Sequence, residues 1–268
     1  MHCLIDAVLL LAVPRPTDAA GHVDSYFICA TPRTGSSLLC GLLESAGVAG
    51  RPESYFRRPD EDSWAVRWGI VRSPNGASSY PDYVRAAIAA GRTENGVFAA
   101  RLMWGTLGEV VDNLGAVHPD LAGADVDLLT RTFGPTRFVY LRRDDALGQA
   151  VSWLRAEQTN VWFETEQPRH EQTEHEYRFD FDRIHELIQL IDAHNAAWQD
   201  WFTSVGVRPH AVRYEELDSD PVGVTRAVLD FLGLELPPGR EILTRHSRLA
   251  DEVNAQWIDR YRAELAKH

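Results

Sequence analysis

DSYFICATPRTGSSLL, residues 24–39, is the stretch on which the fold turns. Tyr26 to Cys29 form an apolar run of the length of a buried strand. Thr31, Pro32, Arg33, Thr34, Gly35, Ser36 and Ser37 then turn the chain. Leu38, Leu39, Leu42 and Leu43 follow with helical spacing. A strand that runs through a glycine-bearing turn into a helix presents free backbone N–H groups at the positive end of the helix dipole. Such a junction is an anion cradle.

Set against the phosphate-binding pattern GxxxxGK[ST] and aligned on Gly35, the first glycine falls on Ala30 and the lysine on Ser36. Ser37 keeps the hydroxyl, and the loop's cation, Arg33, has moved back into the turn. The cradle is kept, while the lysine that clamps the terminal phosphate of ATP is lost. A cation at Arg33 can still reach an anhydride-like leaving group. Taken alone, the loop is equally well an ordinary strand–helix turn that uses Gly35 for its backbone angles.

Outward from this junction, apolar runs suited to buried strands recur at 96–102, 137–141 and 207–213, after the first at 25–30. Helical patterns lie at 36–46, 61–70, 82–91, 105–114, 125–133 and 144–158, then at 174–204, 221–232 and 254–267. This alternation predicts an α/β fold: a P-loop-like three-layer sandwich with a central, mainly parallel sheet flanked by helices. Ligands of such sheets bind beyond the carboxyl ends of the strands. Residues 52–81, rich in Pro, Ser, Arg and aromatics, read as an insertion over the site or a lid, not as core.

The chain has 268 residues, 44% hydrophobic and 25% charged, a normal globular composition. Its net charge of -12 argues against nonspecific nucleic-acid or anionic-membrane binding, so an anion site has to be built locally from arginines. Cys3, Cys29 and Cys40 have no paired spacing, which gives neither a disulfide framework nor a metal motif and fits a cytoplasmic protein. Residues 3–13 are apolar but too short to span a bilayer, and Asp6 interrupts them without a basic residue before. Residues 1–22 are therefore expected to be an N-terminal extension with little order, and residues 23–268 the domain.

A second anion element follows the strand at 137–141. Arg142 and Arg143 stand at its carboxyl end, Asp144 or Asp145 can cap the next helix, and Ser152 lies inside that helix. For Ser152 to share an anion with Arg143, the helix must pack back across the loop. A surface arginine pair before a helix with an unrelated serine explains the same residues.

The two elements together resemble the two-part signature of sulfotransferases that use 3′-phosphoadenosine 5′-phosphosulfate (PAPS), and the chain looks like the bacterial trehalose 2-sulfotransferase family in particular. Gly47-Val48-Ala49-Gly50-Arg51-Pro52 is similar to that family's glycine–proline segment. Asn95-Gly96-Val97 with Leu102-Met103-Trp104 resembles its NGVxxxKLMW, with Arg101 in place of lysine. Gln149 to Ser152, Arg155-Ala156, Gln158-Thr159 and Val161-Trp162 resemble its QAVSxxRAxQTxVW. Arg248, Asp251, Trp257, Asp259, Arg260 and Tyr261 resemble its C-terminal motif.

The resemblance implies sulfuryl transfer from PAPS to a hydroxyl of a carbohydrate or glycolipid acceptor, without a metal, by a homodimer. It implies that Arg33, Thr34, Gly35, Ser36 and Ser37 hold the 5′-phosphosulfate. Arg143 and Ser152 would hold the 3′-phosphate, with Arg248 as a further cofactor residue. The family's general base is a glutamate that matches Ser54 here, one residue after Glu53. Glu53 is the candidate base and Arg33 its catalytic partner; His118 is a weaker candidate base. Arg51, Pro52, Glu53, Ser54, Tyr55, Phe56 and Arg57, with Trp64, Trp68 and Trp104, are the candidate acceptor pocket. Two other functions are open: a P-loop kinase of small alcohols, and a nucleotide-binding protein without catalysis.

Overall fold

The computed structural model describes residues 23–70, 79–159, 177–243 and 252–267. The expected extension at 1–22, and Cys3, Val161, Trp162, Arg248 and Asp251, lie outside the described residues. Four strands, β1 (Ser25–Ala30), β2 (Phe98–Met103), β3 (Thr136–Arg142) and β4 (His210–Arg213), form one sheet in the order β2-β1-β3-β4. Every pairing in it is parallel. Each strand after β1 is reached through helices, as parallel pairing requires.

The helices in chain order are α1 (Ser36–Ala46), α2 (Arg58–Arg67), α3 (Tyr80–Gly91), α4 (Thr106–Val117), α5 (Asp125–Phe133) and α6 (Ala146–Thr159). They continue with α7 (Phe181–Ser204), α8 (Tyr214–Ser219), α9 (Pro221–Leu232) and α10 (Glu252–Leu265). Several ends follow from local chemistry. Gly47 and Gly233 close α1 and α9 in the left-handed conformation, while Asp180 and Asp220 accept backbone N–H bonds at the starts of α7 and α9.

Side-chain alternation along the strands builds two cores. Phe27, Cys29, Phe98, Ala100, Leu102, Phe138 and Tyr140 face one side, under α3, α4, α5 and the end of α7. Tyr26, Ile28, Ala30, Ala99, Val139, Leu141 and Val212 face the other, under α1, α8 and α9. The result is the expected three-layer arrangement. A third cluster joins α6, α7 and α10 through Trp153, Ile184, Leu187, Trp257 and Tyr261.

The reading of 52–81 as a lid is corrected by this packing. Tyr55 and Phe56 are buried in the first core, 4% and 1% exposed. Tyr55 packs between Trp64, Trp68 and Phe98, and Phe56 packs on Tyr83 and Phe133. The Tyr55 hydroxyl donates to the Arg51 carbonyl at 2.7 Å, and the Tyr83 hydroxyl donates to the Tyr55 carbonyl. These rings anchor α2 and α3 to the sheet, so this segment is structural where it is described; residues 71–78 lie outside the described residues.

Candidate functional site

Strand order decides where a ligand can sit. The chain leaves β1 for β2 on one side and reaches β3 on the other, so the loops after β1 and β3 diverge. A crevice opens beyond their carboxyl ends. Both anion elements expected from the sequence stand on this crevice.

The first is the turn from β1 into α1. Gly35 caps α1 with φ 80°, and Arg33 has φ 67°, a positive value that no other non-glycine residue shares among the described residues. Holding a non-glycine residue there costs about 1–3 kcal/mol and is typical of functional loops. A methyl group on Gly35 would lie 2.6 Å from Cδ2 of Tyr214, so glycine is demanded by both backbone and space. Among the described residues no side chain caps α1, and its first turn carries no acidic residue. Its N-terminal amides and dipole are thus left for an external anion. Thr34 contributes by holding the turn: it is buried and its hydroxyl donates to the Thr31 carbonyl at 2.9 Å.

The lysine missing from this loop has a counterpart on the neighbouring strand. Arg101 of β2 is 5% exposed, and its Nη1 donates to Ser37 Oγ at 2.8 Å and Ser36 Oγ at 3.4 Å. Its Nε donates to Ser54 Oγ at 2.9 Å, and its Nη2 lies 3.2 Å from Glu53 Oε1. The guanidinium thereby ties the β1–α1 turn to the loop at residues 53–54. Burial pushes the Cys40 thiol of α1 up to about 12, and Arg101 pulls it the other way. A charge in the apolar run Val97–Met103 demands buried partners, and that signal could have singled out Arg101 from the sequence.

Glu53 and Ser54 differ sharply in this frame. Ser54 is 9% exposed with its hydroxyl bonded to Arg101, whereas the Glu53 side chain is 46% exposed. Glu53 Oε1 also accepts from the Ser54 N–H at 2.7 Å, and its carbonyl accepts from the Arg101 N–H at 3.0 Å. Pro52 is buried, and Arg51 and Arg57 are exposed. Arg51 donates to the Arg92 carbonyl and Arg57 pairs with Asp60. Tyr55 and Phe56, expected to face a ligand, face the core instead, because consecutive rings here fill two adjoining pockets beneath α2 and α3. Trp104 packs edge-on against Trp198, and Trp64 and Trp68 stack on each other. His118 follows α4, which runs back from the carboxyl end of β2, so it stands at the opposite edge of the sheet from the crevice.

The second element is the turn from β3 into α6. Here the helix does pack back across the first loop. Gln149 Nε2 donates to Thr31 Oγ1 at 2.8 Å and to the Pro32 carbonyl at 2.7 Å. Arg33 Nε donates to Ser152 Oγ at 3.0 Å, joining the two elements directly. Arg143, 17% exposed, lies with its guanidinium carbon 4.6 Å from the centre of the Tyr214 ring, a cation–π contact, and pairs with Asp145 at 3.2 Å. Its Nη2 closes on Gly148, one helical turn before Ser152, so Arg143 and Ser152 address one face of α6. An open polar groove of about 340 Å³, lined by Arg142, Arg143, Asp144, Asp192, Asn195 and Gln199, gives solvent access beside this turn. Tyr214 belongs to α8, a helix too short to show in the sequence periodicity.

The family described as Stf0 sulphotransferase matches residues 25–264. The trehalose 2-sulfotransferase of Mycolicibacterium smegmatis is 30% identical over 92% of this chain and 97% of its own. That of Mycobacterium tuberculosis strain Erdman is 28% identical over 91% of this chain and 97% of its own. Among solved structures, the sulfotransferase domain of the Synechococcus PCC 7002 olefin synthase aligns with a TM-score of 0.48 at 14% identity, over 92% of this chain and 90% of that one.

Proposed function

Since the chain belongs to the Stf0 sulphotransferase family and is a sulfotransferase, we propose that it transfers the sulfuryl group of PAPS to a hydroxyl of a carbohydrate or glycolipid acceptor. The observation that carries this reading is the bond from Arg33 to Ser152, which fuses two anion elements into one crevice. A donor with a phosphosulfate at one end and a 3′-phosphate at the other fits that pair. Both named relatives are trehalose 2-sulfotransferases, which supports a sugar hydroxyl as acceptor.

PAPS supplies a sulfuryl group on a phosphate that is already a good leaving group, and its departure needs no metal. The residues of the chain do the rest. Arg33 and the N-terminal amides of α1 would stabilise the bridging oxygen, where charge gathers as the S–O bond breaks. Arg101 holds Ser36, Ser37 and the Glu53–Ser54 loop at fixed distances, which aligns acceptor and donor. Glu53, the half-exposed carboxylate paired with this cation, takes the acceptor proton as the new O–S bond forms. Ser54 positions Arg101 and is no base. Arg143 and Ser152 hold the 3′-phosphate.

The donor-binding domain is proposed to span residues 23–268, with residues 1–22 outside it. We place the enzyme in the cytoplasm, as its unpaired buried Cys29 and Cys40 favour, and as a homodimer, by family resemblance. Among the described residues no helix is long and apolar enough to cross a membrane. Incubation with PAPS and a panel of free sugars and glycolipids, read by mass spectrometry of sulfated products, tests the activity. A sulfated sugar that disappears with Glu53→Gln supports the reading, and unchanged turnover in that variant removes Glu53 as base.

A further inference from the structure

The turn that carries Arg143 is built around an acidic residue, which is unexpected beside an anion site. Glu215 Oε1 accepts the N–H of Asp144 at 3.1 Å and that of Asp145 at 3.3 Å. Asp145 Oδ1 in turn accepts the N–H of Gly148 at 2.9 Å. Asp145 thus caps the first turn of α6, where the helix dipole offsets its charge, and Glu215 takes up the two amides of the turn just before the helix. No external phosphate can use those amides. Glu215 follows Tyr214, whose ring lies against both Gly35 and the Arg143 guanidinium. Arg143 Nε is buried without a hydrogen-bond partner among the described residues, so the position of this side chain depends on the turn and ring around it.

We propose that Glu215 is a positioning residue for recognition of the donor's 3′-phosphate. It clamps the Asp144–Asp145 backbone so that Arg143 is fixed between Tyr214 and Gly148, and it takes up two turn amides that a phosphate would otherwise reach, leaving recognition to the side chains. The inference rests on the assignment of Arg143 to the 3′-phosphate. It adds that α8 sets both the shape and the selectivity of that site.

The test is calorimetric binding of adenosine 3′,5′-bisphosphate and of adenosine 5′-phosphate to wild type, Glu215→Ala and Glu215→Gln. Wild type should prefer the bisphosphate. Glu215→Ala should lose about tenfold of that preference, with affinity for the 5′-phosphate nearly unchanged. Glu215→Gln, which can still accept both N–H groups, should restore it. Equal loss of both ligands in Glu215→Ala would mark a merely structural role, and tighter bisphosphate binding would mean that the carboxylate only repels; either overturns the inference. A wild type without the preference would instead sink the assignment of Arg143 and the donor reading with it. Should Glu215→Ala not fold, Glu215→Asp, shorter by one methylene with the charge kept, carries the same comparison and the same criteria.

Discussion

The two strand–turn–helix junctions of this protein look alike in outline and are built oppositely. The β1–α1 junction has, among the described residues, no side-chain cap at its helix N-terminus, and its first turn carries no acidic residue. The β3–α6 junction satisfies its turn amides with Glu215 and the Gly148 amide of its first helical turn with Asp145. One junction offers backbone amides beside Arg33 to an anion, and the other offers side chains alone, those of Arg143 and Ser152. Backbone donors fixed in a strained turn suit a charge that develops during reaction, because they need no reorganisation. Side chains on a braced turn suit a static phosphate that confers selectivity.

Breaking the first junction should have the larger effect. Arg33→Ala is expected to lower kcat by about 100- to 1,000-fold, with little change in affinity for adenosine 3′,5′-bisphosphate at the 3′ end; initial rates with PAPS and a sugar acceptor measure it. Arg143→Ala should do the reverse, raising the donor KM by about 10- to 100-fold while kcat stays within a few-fold. If both variants lost kcat alone, the division of labour would be wrong.

Finer changes sharpen the contrast. A methyl group on Gly148 would lie 2.6 Å from Arg143 Nη2 and overlap the Asp145 carboxylate. Gly148→Ala should raise the donor KM by about fivefold, ~1 kcal/mol, since flexible side-chain ends can give way. Its effect on kcat should be negligible, because the first junction is untouched.

A smaller effect is expected at the start of β4, away from both junctions. Burial holds the imidazoles of His210 and His194 below the ordinary histidine range, and His210 stacks on Phe231. Their neutral forms are favoured in the folded state. The stability they contribute is complete above the ordinary value, about 6.5, and is lost as the pH falls below it toward the lowered values. His210→Phe should therefore lose less Tm than wild type between pH 7.5 and 5.5, and a parallel loss would contradict the assignment.

Periodicity and turn chemistry were enough to read the sheet and the first junction: the spans 25–30, 36–46, 125–133 and 221–232 have the predicted bounds. What escaped has physical reasons. Tyr55 and Phe56 sit among charged neighbours, which mask their role as core anchors; only the packing of α2 and α3 reveals it. Six-residue α8 is too short for a helical repeat, yet it supplies Tyr214 and Glu215. Arg101 was visible through family resemblance alone, although a charge inside an apolar strand run is itself a sign of a paired, buried cation. Glu53 and Ser54 were separable only once burial was known.

Calorimetric titration with adenosine 3′,5′-bisphosphate, in parallel with ATP plus magnesium, tests the two-ended clamp most directly. The account predicts saturable binding of the bisphosphate that weakens in Arg143→Ala, and no comparable binding of ATP. Binding of ATP plus magnesium with no response to the bisphosphate would contradict it.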